Sequence, residues 1–531
     1  MRKSGFIFVL LGFCLNSIGQ PIISSFSPSS GPVGTVVTIS GTGFNSTASN
    51  NIVFFGGVKA NVSSATSTSI TATVPVGATY ENMTVLNTST GLMGISISPF
   101  KLTYTGFISS TFFDSRITFN TGTNTATQSC ASGDLDGDGK PELIAGNTGT
   151  ATISIFRNTS TPGVISASSF AAKVDKSTGS TPRGIAIGDL NGDGKLDIAV
   201  ANAGAATVYV FRNTSTIGSL SFAAAISLAT GSTPYDLAIA DLNGDGLQDI
   251  AVANSGTTTV SVFKNTMSAG TLSFATKTDL TVGSNPKGIA IGDIDGNGAA
   301  DIVVSNSGST TISVLRNTTS AGSISFAAKV DKAATSIPMG VDIGDLDGDG
   351  KLDIAVANNF GTTGGSSSIS VFRNTSTSGT VSLATKSDYA TWWANQRVAI
   401  EEMDGDGKLD LISNGGATNA SGKVSVIKNN STSGALSFGS YVSLGSGTWS
   451  VGLSMADFDL DGRIDMSVTA SGGNNTSVIR NNGDEPIVTS FSPTSGPVGT
   501  TVTITGSKFT GASAVSFGGT PASSFTVVNA T

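Results

Sequence analysis

Residues 134–146 read DLDGDGKPELIAG: three aspartates on alternate residues, a glycine at the sixth place and a fourth acid at the ninth. The pattern returns as DLNGDGKLD from Asp189, DLNGDGLQD from Asp241, DIDGNGAAD from Asp293, DLDGDGKLD from Asp345, EMDGDGKLD from Glu402 and DFDLDGRID from Asp457. The seven copies are 55, 52, 52, 52, 57 and 55 residues apart. A fixed period of this size constrains the fold strongly, because one such repeat cannot bury its own apolar face and must stack on the next.

The second copy shows what one period contains. GIAIGDL (184–190), DIAVAN (197–202), TVYVFRN (207–213) and SFAAAISL (221–228) read as four period-two strands separated by Gly, Asn, Ser and Thr turns. The first alternates large and small residues, which suits burial on both faces. Four strands per repeat make a propeller blade. The third strand ends in FRN, FRN, FKN, LRN, FRN, IKN and IRN in successive copies, so the phase holds throughout. The reading is all-β, a seven-bladed β-propeller over residues 106–485. The last copy stops after its third strand at Asn481, while a spare strand, STFFDSRITF (110–119), precedes the first loop. That spare is expected to complete the last blade and close the ring without a free edge.

Counted from the first acid of each loop, positions 1, 3, 5 and 9 bear oxygen in every copy, position 6 is always glycine and position 7 varies. Alternate side chains and one backbone carbonyl can then converge on a hard cation that takes six to eight oxygens, glycine allowing the sharp turn. These positions hold 25 of the 36 acids in the chain. The candidate ligands, position 7 acting through its carbonyl, are Asp134, Asp136, Asp138, Lys140 and Glu142; Asp189, Asn191, Asp193, Lys195 and Asp197; Asp241, Asn243, Asp245, Leu247 and Asp249; Asp293, Asp295, Asn297, Ala299 and Asp301; Asp345, Asp347, Asp349, Lys351 and Asp353; Glu402, Asp404, Asp406, Lys408 and Asp410; Asp457, Asp459, Asp461, Arg463 and Asp465. Calcium is favoured over magnesium, which keeps its waters. About seven Ca²⁺ would turn the formal charge of -8 into about +6. The spacing departs from the EF-hand loop at position 12, which is apolar (Ala145, Val200), so no helix pair is expected.

On this loop the repeat resembles the FG-GAP or VCBS family, the propeller repeat of integrin alpha chains and of many bacterial surface proteins. The resemblance implies calcium on the side-chain oxygens at positions 1, 3, 5 and 9. Glu402 replaces the usual first Asp, and Asn191, Asn243 and Asn297 lower the charge of three loops; those four sites are expected to be weaker or altered. The flanks repeat each other: PIISSFSPSSGPVGTVVTISGTGF opens residues 20–105 and PIVTSFSPTSGPVGTTVTITGSKF opens residues 486–531. Both are similar to the IPT/TIG immunoglobulin-like domain, which implies an N-terminal Ig-like β-sandwich and a second, truncated module. About half a sandwich cannot bury its inner face, so the chain is expected to continue beyond Thr531.

Residues 1–19 read as a signal peptide, with Arg2 and Lys3, an apolar run over 6–15 and a small-x-small site before Gln20. Cys14 invites a lipoprotein reading, but Phe13 stands where a lipobox needs a small residue. No later run is long enough to span a bilayer, so a secreted or cell-surface protein without a transmembrane segment is expected. Cys130 is the one cysteine after the signal, which excludes an internal disulfide and a cysteine metal cage; a buried apolar role is expected for it.

The chain has no histidine, which removes Ser-His-Asp triads, His-ligated zinc and most general-base chemistry at neutral pH. The reading is therefore a binding protein and not an enzyme, with a surface protein or glycan as partner and no nucleic acid. A calcium-assisted polysaccharide lyase is the enzymatic alternative, and a structural spacer for an unseen C-terminal domain the other. Six residues before the loops the copies carry Gln128, Arg183, Tyr235, Lys287, Met339, Gln396 and Val451, at the end of the first strand opposite the loop. Such varied residues ringing a channel mouth suit recognition. Arg183, Tyr235 and Lys287 are the ligand candidates, with Trp392, Trp393 and Trp449, the three tryptophans of the chain, for which blade-to-blade packing is the competing role.

Overall fold

Short strands, each too narrow to bury a face alone, form among the described residues seven antiparallel four-stranded sheets arranged as a propeller. The computed structural model describes residues 20–103, 108–268, 270–320, 322–360, 367–416, 421–483, 487–507, 509, 515–517 and 520–528. The signal-peptide reading of residues 1–19, Cys14 included, lies outside them. Blade 2 is typical, with strands Pro182–Gly188, Asp197–Asn202, Thr207–Phe211 and Ile226–Ala229 in that order from the channel outward. Its second strand is buried at every residue, whereas the first is buried only in part. The alternation in GIAIG therefore marks a strand with one face on the channel; the strand buried on both faces is DIAVAN. Blades adhere through apolar side chains: Ala199, Val208 and Val210 of blade 2 pack with Leu237, Ile250 and Val252 of blade 3.

The ring is closed by strand exchange. Blade 7 consists of Ser450–Ala456, Asp465–Ala470, Asn475–Ile479 and, outermost, Ile117–Asn120 from the start of the propeller. Ile117 stands opposite Val478 and Asn120 opposite Asn475. The spare strand is shorter than its sequence suggests: Ser110–Phe112 is a single 3-10 turn, and Phe113 makes an isolated bridge to Asn481.

The asparagine that ends every third strand latches neighbouring blades together. In Asn265 the side-chain amide donates to the Leu190 carbonyl of the preceding blade at 2.7 Å and to Gln248 O of its own blade at 3.0 Å. Asn213, Asn317, Asn374, Asn429 and Asn481 reach Leu135, Leu242, Ile294, Leu346 and Met403 in the same way, at 2.7 to 2.9 Å. Asn158 reaches Phe458 O at 2.9 Å, which carries the series across the seam between blades 7 and 1.

Residues 22–99 form the Ig-like sandwich expected from the alternating apolar pattern. Val37 and Ile39 on Val36–Thr42 point inward and are fully buried beside Val53, Phe55, Ile70 and Met83. Val58–Ala65 pairs with both Asn51–Phe55 and Ser69–Thr73 and so joins the two layers. Ile487–Ser492 pairs with Thr503–Ser507 as Ile22–Ser27 pairs with Val36–Thr42, including the register shift after the second residue. Among the described residues no helix is long and apolar enough to cross a membrane.

The sandwich is seated on the propeller face that carries the acidic loops. Asp134 N donates to Gly57 O at 3.2 Å, Met93 N to Gly246 O at 2.9 Å and Tyr80 N to the Glu401 carboxylate at 3.1 Å. Ile52, Phe54, Leu86 and Met93 share an apolar cluster with Leu135, Leu196 and Ile198 of the blades. Gly194, at position 6 of loop 2, is doubly required: its φ is +81°, and an added Cβ would lie 2.3 Å from Ile52 Cδ1.

Candidate metal centres and channel mouth

Each loop links the first and second strands of a blade, and its backbone is folded around its own carboxylates. In loop 1 Asp134 accepts from Gly137 N at 2.8 Å and Gly139 N at 2.9 Å, Asp136 from Asp138 N at 3.1 Å, and Asp138 from Lys140 N at 2.9 Å. Glu142 at position 9 ties the loop to the blade: it accepts from Leu135 N at 2.7 Å and from Asn158 N, two residues past the third strand, at 3.2 Å. The other copies repeat this position-9 clamp, as in Asp249 with Leu242 N at 3.0 Å and Asn265 N at 2.7 Å.

Carboxylate oxygens at positions 1, 3 and 9 lie within 4.8 Å of one another in loops 1, 4, 5, 6 and 7. Those groups are Asp134, Asp136 and Glu142; Asp293, Asp295 and Asp301; Asp345, Asp347 and Asp353; Glu402, Asp404 and Asp410; Asp457, Asp459 and Asp465. Position 5 (Asp138, Asp349, Asp406, Asp461) stands outside this close grouping. Glu402 serves as the usual Asp does, accepting from Gly405 N at 2.7 Å and from Gly407 N. Loops 2 and 3 differ: Asn191 Nδ2 donates to Asp193 at 3.0 Å and Asn243 Nδ2 to Asp245 at 2.9 Å. An amide–carboxylate bond there replaces a repulsion between two carboxylates, so these loops relieve their crowding internally.

The donors fit a hard divalent cation. All are oxygens, and buried oxygens of Asp295, Asp345, Asp347 and Asp459 have no hydrogen-bond partner among the described residues. Without a cation, burial first and neighbouring carboxylates second push Glu142 up to about 9 and Asp197 to about 8. Burial likewise lifts Asp249, Asp301 and Asp353 to about 7, and Asp410 and Asp465 well above the carboxylate range. A bound cation would be held by the side chains at positions 1, 3 and 9, with 5 and the carbonyl of 7 at the rim, and would pin the first two strands together.

Sequence reasoning used the FRN tripeptide only to set the phase and missed what its basic residue does. In blades 3 to 7 that residue lies against the acids of its own loop: Lys264 to Asp245 at 3.3 Å, Arg316 to Asp295 at 3.9 Å, Arg373 to Asp349 at 3.6 Å, Lys428 to Asp406 at 2.9 Å and Arg480 to Asp461 at 2.7 Å. The signal was there, since an invariant cation follows the first acid by 23 residues in copies 1 to 4 and 7. At position 7, Lys140, Lys195 and Lys351 turn away from the loop acids to donate to Ser160, Ser215 and Ser376 carbonyls at 2.7 to 2.8 Å.

The profile of the FG-GAP-like repeat matches residues 134–200, 189–252, 241–304, 296–356 and 402–468, more than half of the chain. The chain belongs to the FG-GAP-like repeat family. The profile of the IPT/TIG domain matches residues 21–105 and 486–531. No curated protein matches the chain. Among solved structures, an auxiliary nutrient binding protein from Bacteroides ovatus aligns at 12% identity over 87% of this chain and 98% of its own, with a TM-score of 0.33. One from Bacteroides thetaiotaomicron aligns at 12% identity over 87% and 97%, with a TM-score of 0.33. Likeness at this level bears on neither ligand nor activity.

The FG-GAP-like first strands carry the predicted ring to the channel end remote from the loops. A strand of seven residues sets the two ends about 20 Å apart. Gln128, Arg183, Tyr235, Gln396 and Val451 line one small cleft with Arg397. Lys287 Nζ lies 3.9 Å from the centre of the Tyr235 ring and Arg183 Cζ 5.5 Å from it, so these three candidates do come together. Burial, then the charge of Arg183, lowers Lys287 to about 8. The tryptophans do not join one another: among the described residues no ring contact links them. Trp392 is 39% exposed with Lys423 Nζ 5.7 Å from its ring, whereas Trp393 and Trp449 are half-buried and the Trp393 Nε1 is buried with no hydrogen-bond partner among the described residues.

Below the mouth, Arg397 and Asp236 form an ion pair between blades 6 and 3. Both replace the small residue of the P-x-G frame, and Arg397 lines the mouth cleft as well as the space beneath it. That space, about 580 Å³, lies between the first strands and the sandwich. Glu81, Asp342 and Glu401 face it; burial pushes Asp342 up to about 7 and the other two above their usual range. Glu81 is an exposed residue that also lines this cavity. Cys130 also borders it, its thiol pushed up to about 12 by burial and therefore inert as a nucleophile at neutral pH.

Proposed function

We propose that this chain is an exported, calcium-stabilised propeller that binds a protein or glycan ligand at a bacterial cell surface through the channel mouth, without catalysing a reaction. One observation carries this reading: the two ends of the channel are used differently. The loop end is covered by the sandwich and engaged in its own carboxylate network. The mouth end presents six kinds of side chain from seven blades on a scaffold that otherwise repeats. Repetition with variation confined to one rim is what a recognition surface on a rigid support requires.

Seven acidic loops on a scaffold that needs them for rigidity support the calcium assignment. Exchange outside the cytoplasm, where free Ca²⁺ is plentiful, would keep such loops filled. Pull-down of bacterial surface proteins and glycans by residues 20–531, with calcium and with chelator, tests the reading. A ligand retained with calcium and lost on substitution at the mouth supports it. Calcium-dependent stability with no ligand at the mouth would leave an architectural spacer instead.

A further inference from the structure

The acids of this chain are unevenly placed, and the mouth is where they are missing. Twenty-five of the 36 lie in the loops. Of the rest, four pair with lysines on outer strands, three face the cavity under the sandwich, Asp114 lies against Arg480 and two fall outside the described residues. That leaves Asp236 as the single carboxylate near the mouth, and Arg397 already neutralises it. Arg183 and Lys287, from the blades on either side of Tyr235, have no carboxylate partner among the described residues; Arg183 meets only the neutral amide of Gln128. Two like charges are thus held 5.5 and 3.9 Å from one ring with no carboxylate paired to either among the described residues. The ring face is taken by cations, which makes Tyr235 a spacer for charge and not a platform for an uncharged sugar.

We propose that the mouth binds the carboxylate groups of an acidic glycan, one group resting on the rim against Arg183 and Lys287. This rests on the reading of the mouth as the recognition end. The cleft is only about 10 Å³, too small to admit more than one water-sized atom and lined by Arg183 without Lys287, so the chain lies across the rim with a carboxylate resting on the surface beside it. A glycan fits better than an acidic peptide for two reasons. Gln128 and Gln396 flank the cleft with amides that both donate and accept, as hydroxyl groups require. Trp392 with Lys423 at 5.7 Å repeats the aromatic–cation pairing on the connection leading to Gln396, which suits a polymer carrying charge at intervals and a sugar face at the 39% exposed indole.

Titration calorimetry on residues 20–531 with Ca²⁺ present tests this with three probes: oligogalacturonate, its fully methyl-esterified counterpart and poly-glutamate. Oligogalacturonate is expected to bind, the ester at least about tenfold more weakly, and poly-glutamate more weakly than the free acid. The double variant R183Q/K287Q should lose the preference for the free acid. Raising NaCl from about 0.1 to 0.5 M should weaken the free acid and leave the ester unchanged, a readout that needs no variant. Equal binding of acid and ester, or acid binding untouched in the double variant, overturns the proposal while leaving the mouth open to a neutral ligand. Tighter binding of poly-glutamate overturns the glycan class in favour of an acidic peptide. Binding of none of the three overturns the proposal, and a blank pull-down beside it removes the recognition reading as well.

Discussion

The loop end and the mouth end of the channel are built from the two ends of the same seven strands, yet they obey opposite rules. At the loop end the sequence is nearly invariant and dense in acids, and its side chains are spent on nearby backbone: each position-9 acid accepts one N–H from its own loop and one from the asparagine at the end of the third strand. At the mouth the residues differ from blade to blade, and Arg183 and Lys287 lack an acidic partner among the described residues. A propeller can vary one rim freely because the other holds the blades. The difference teaches where stability and recognition should separate.

The largest test of that separation removes the seam. Deleting residues 106–120 takes away Ile117–Asn120 and leaves Asn475–Ile479 with an open edge, so the cooperative thermal transition of the propeller should be lost, whereas a mouth-loop deletion of similar length should lower melting only modestly. Chelation comes next. A single site at 100 times its Kd contributes about 2.7 kcal/mol, so saturating calcium should raise the melting temperature by at least about 10 °C, and a shift near zero in calorimetry would remove the metal from the loop end altogether. Asn265→Ala, which strips two buried carbonyls of their donor, should cost about 2–3 kcal/mol in denaturant titration.

A smaller effect concerns pH. Folding without metal raises Glu142 to about 9, Asp197 to about 8 and Asp249, Asp301 and Asp353 to about 7, against about 4 in the unfolded chain. The folded metal-free protein therefore binds more protons than the unfolded one between about pH 4 and 9, and its stability falls as pH rises through that window. A cation displaces those protons, so the calcium-induced rise in melting temperature should be greater at pH 8 than at pH 5. A rise that is flat or reversed across these pH values would show that the loop acids are not the ligands. Smallest of all, Lys287→Ala should change stability by no more than about 0.5 kcal/mol, since it removes a mouth side chain with no carboxylate partner among the described residues; a larger loss would make the mouth structural too.

The sequence reading reached the blade count and the acidic loops because both are periodic, and the strand exchange because the period breaks off at its two ends; periodicity survives in a linear string. It missed the latches for the opposite reason. Asn265 and Leu190 lie in different blades, and nothing in FKN says that its amide reaches across a blade boundary. The placement of the first strand was misjudged because large–small alternation looks the same whether a small residue faces a neighbouring blade or a channel. The mouth trio was legible, since Arg183, Tyr235 and Lys287 occupy one repeat position and must be neighbours in a ring. That the sandwich would sit on the loops was not, because its contacts, single backbone groups such as Gly57 O and Met93 N beside scattered apolar residues such as Ile52 and Leu86, follow no period.

The exchanged strand also sets a clock. A chain synthesised from its N-terminus produces Ile117–Asn120 before any blade and its partner Asn475–Ile479 after six blades are complete. Throughout that interval the early strand has an unsatisfied edge and the growing arc has no end to meet, so ring closure is the last step of making this domain and the one most exposed to wrong pairing. A chain interrupted between residues 448 and 475 would carry six blades' worth of surface and still lack a finished propeller.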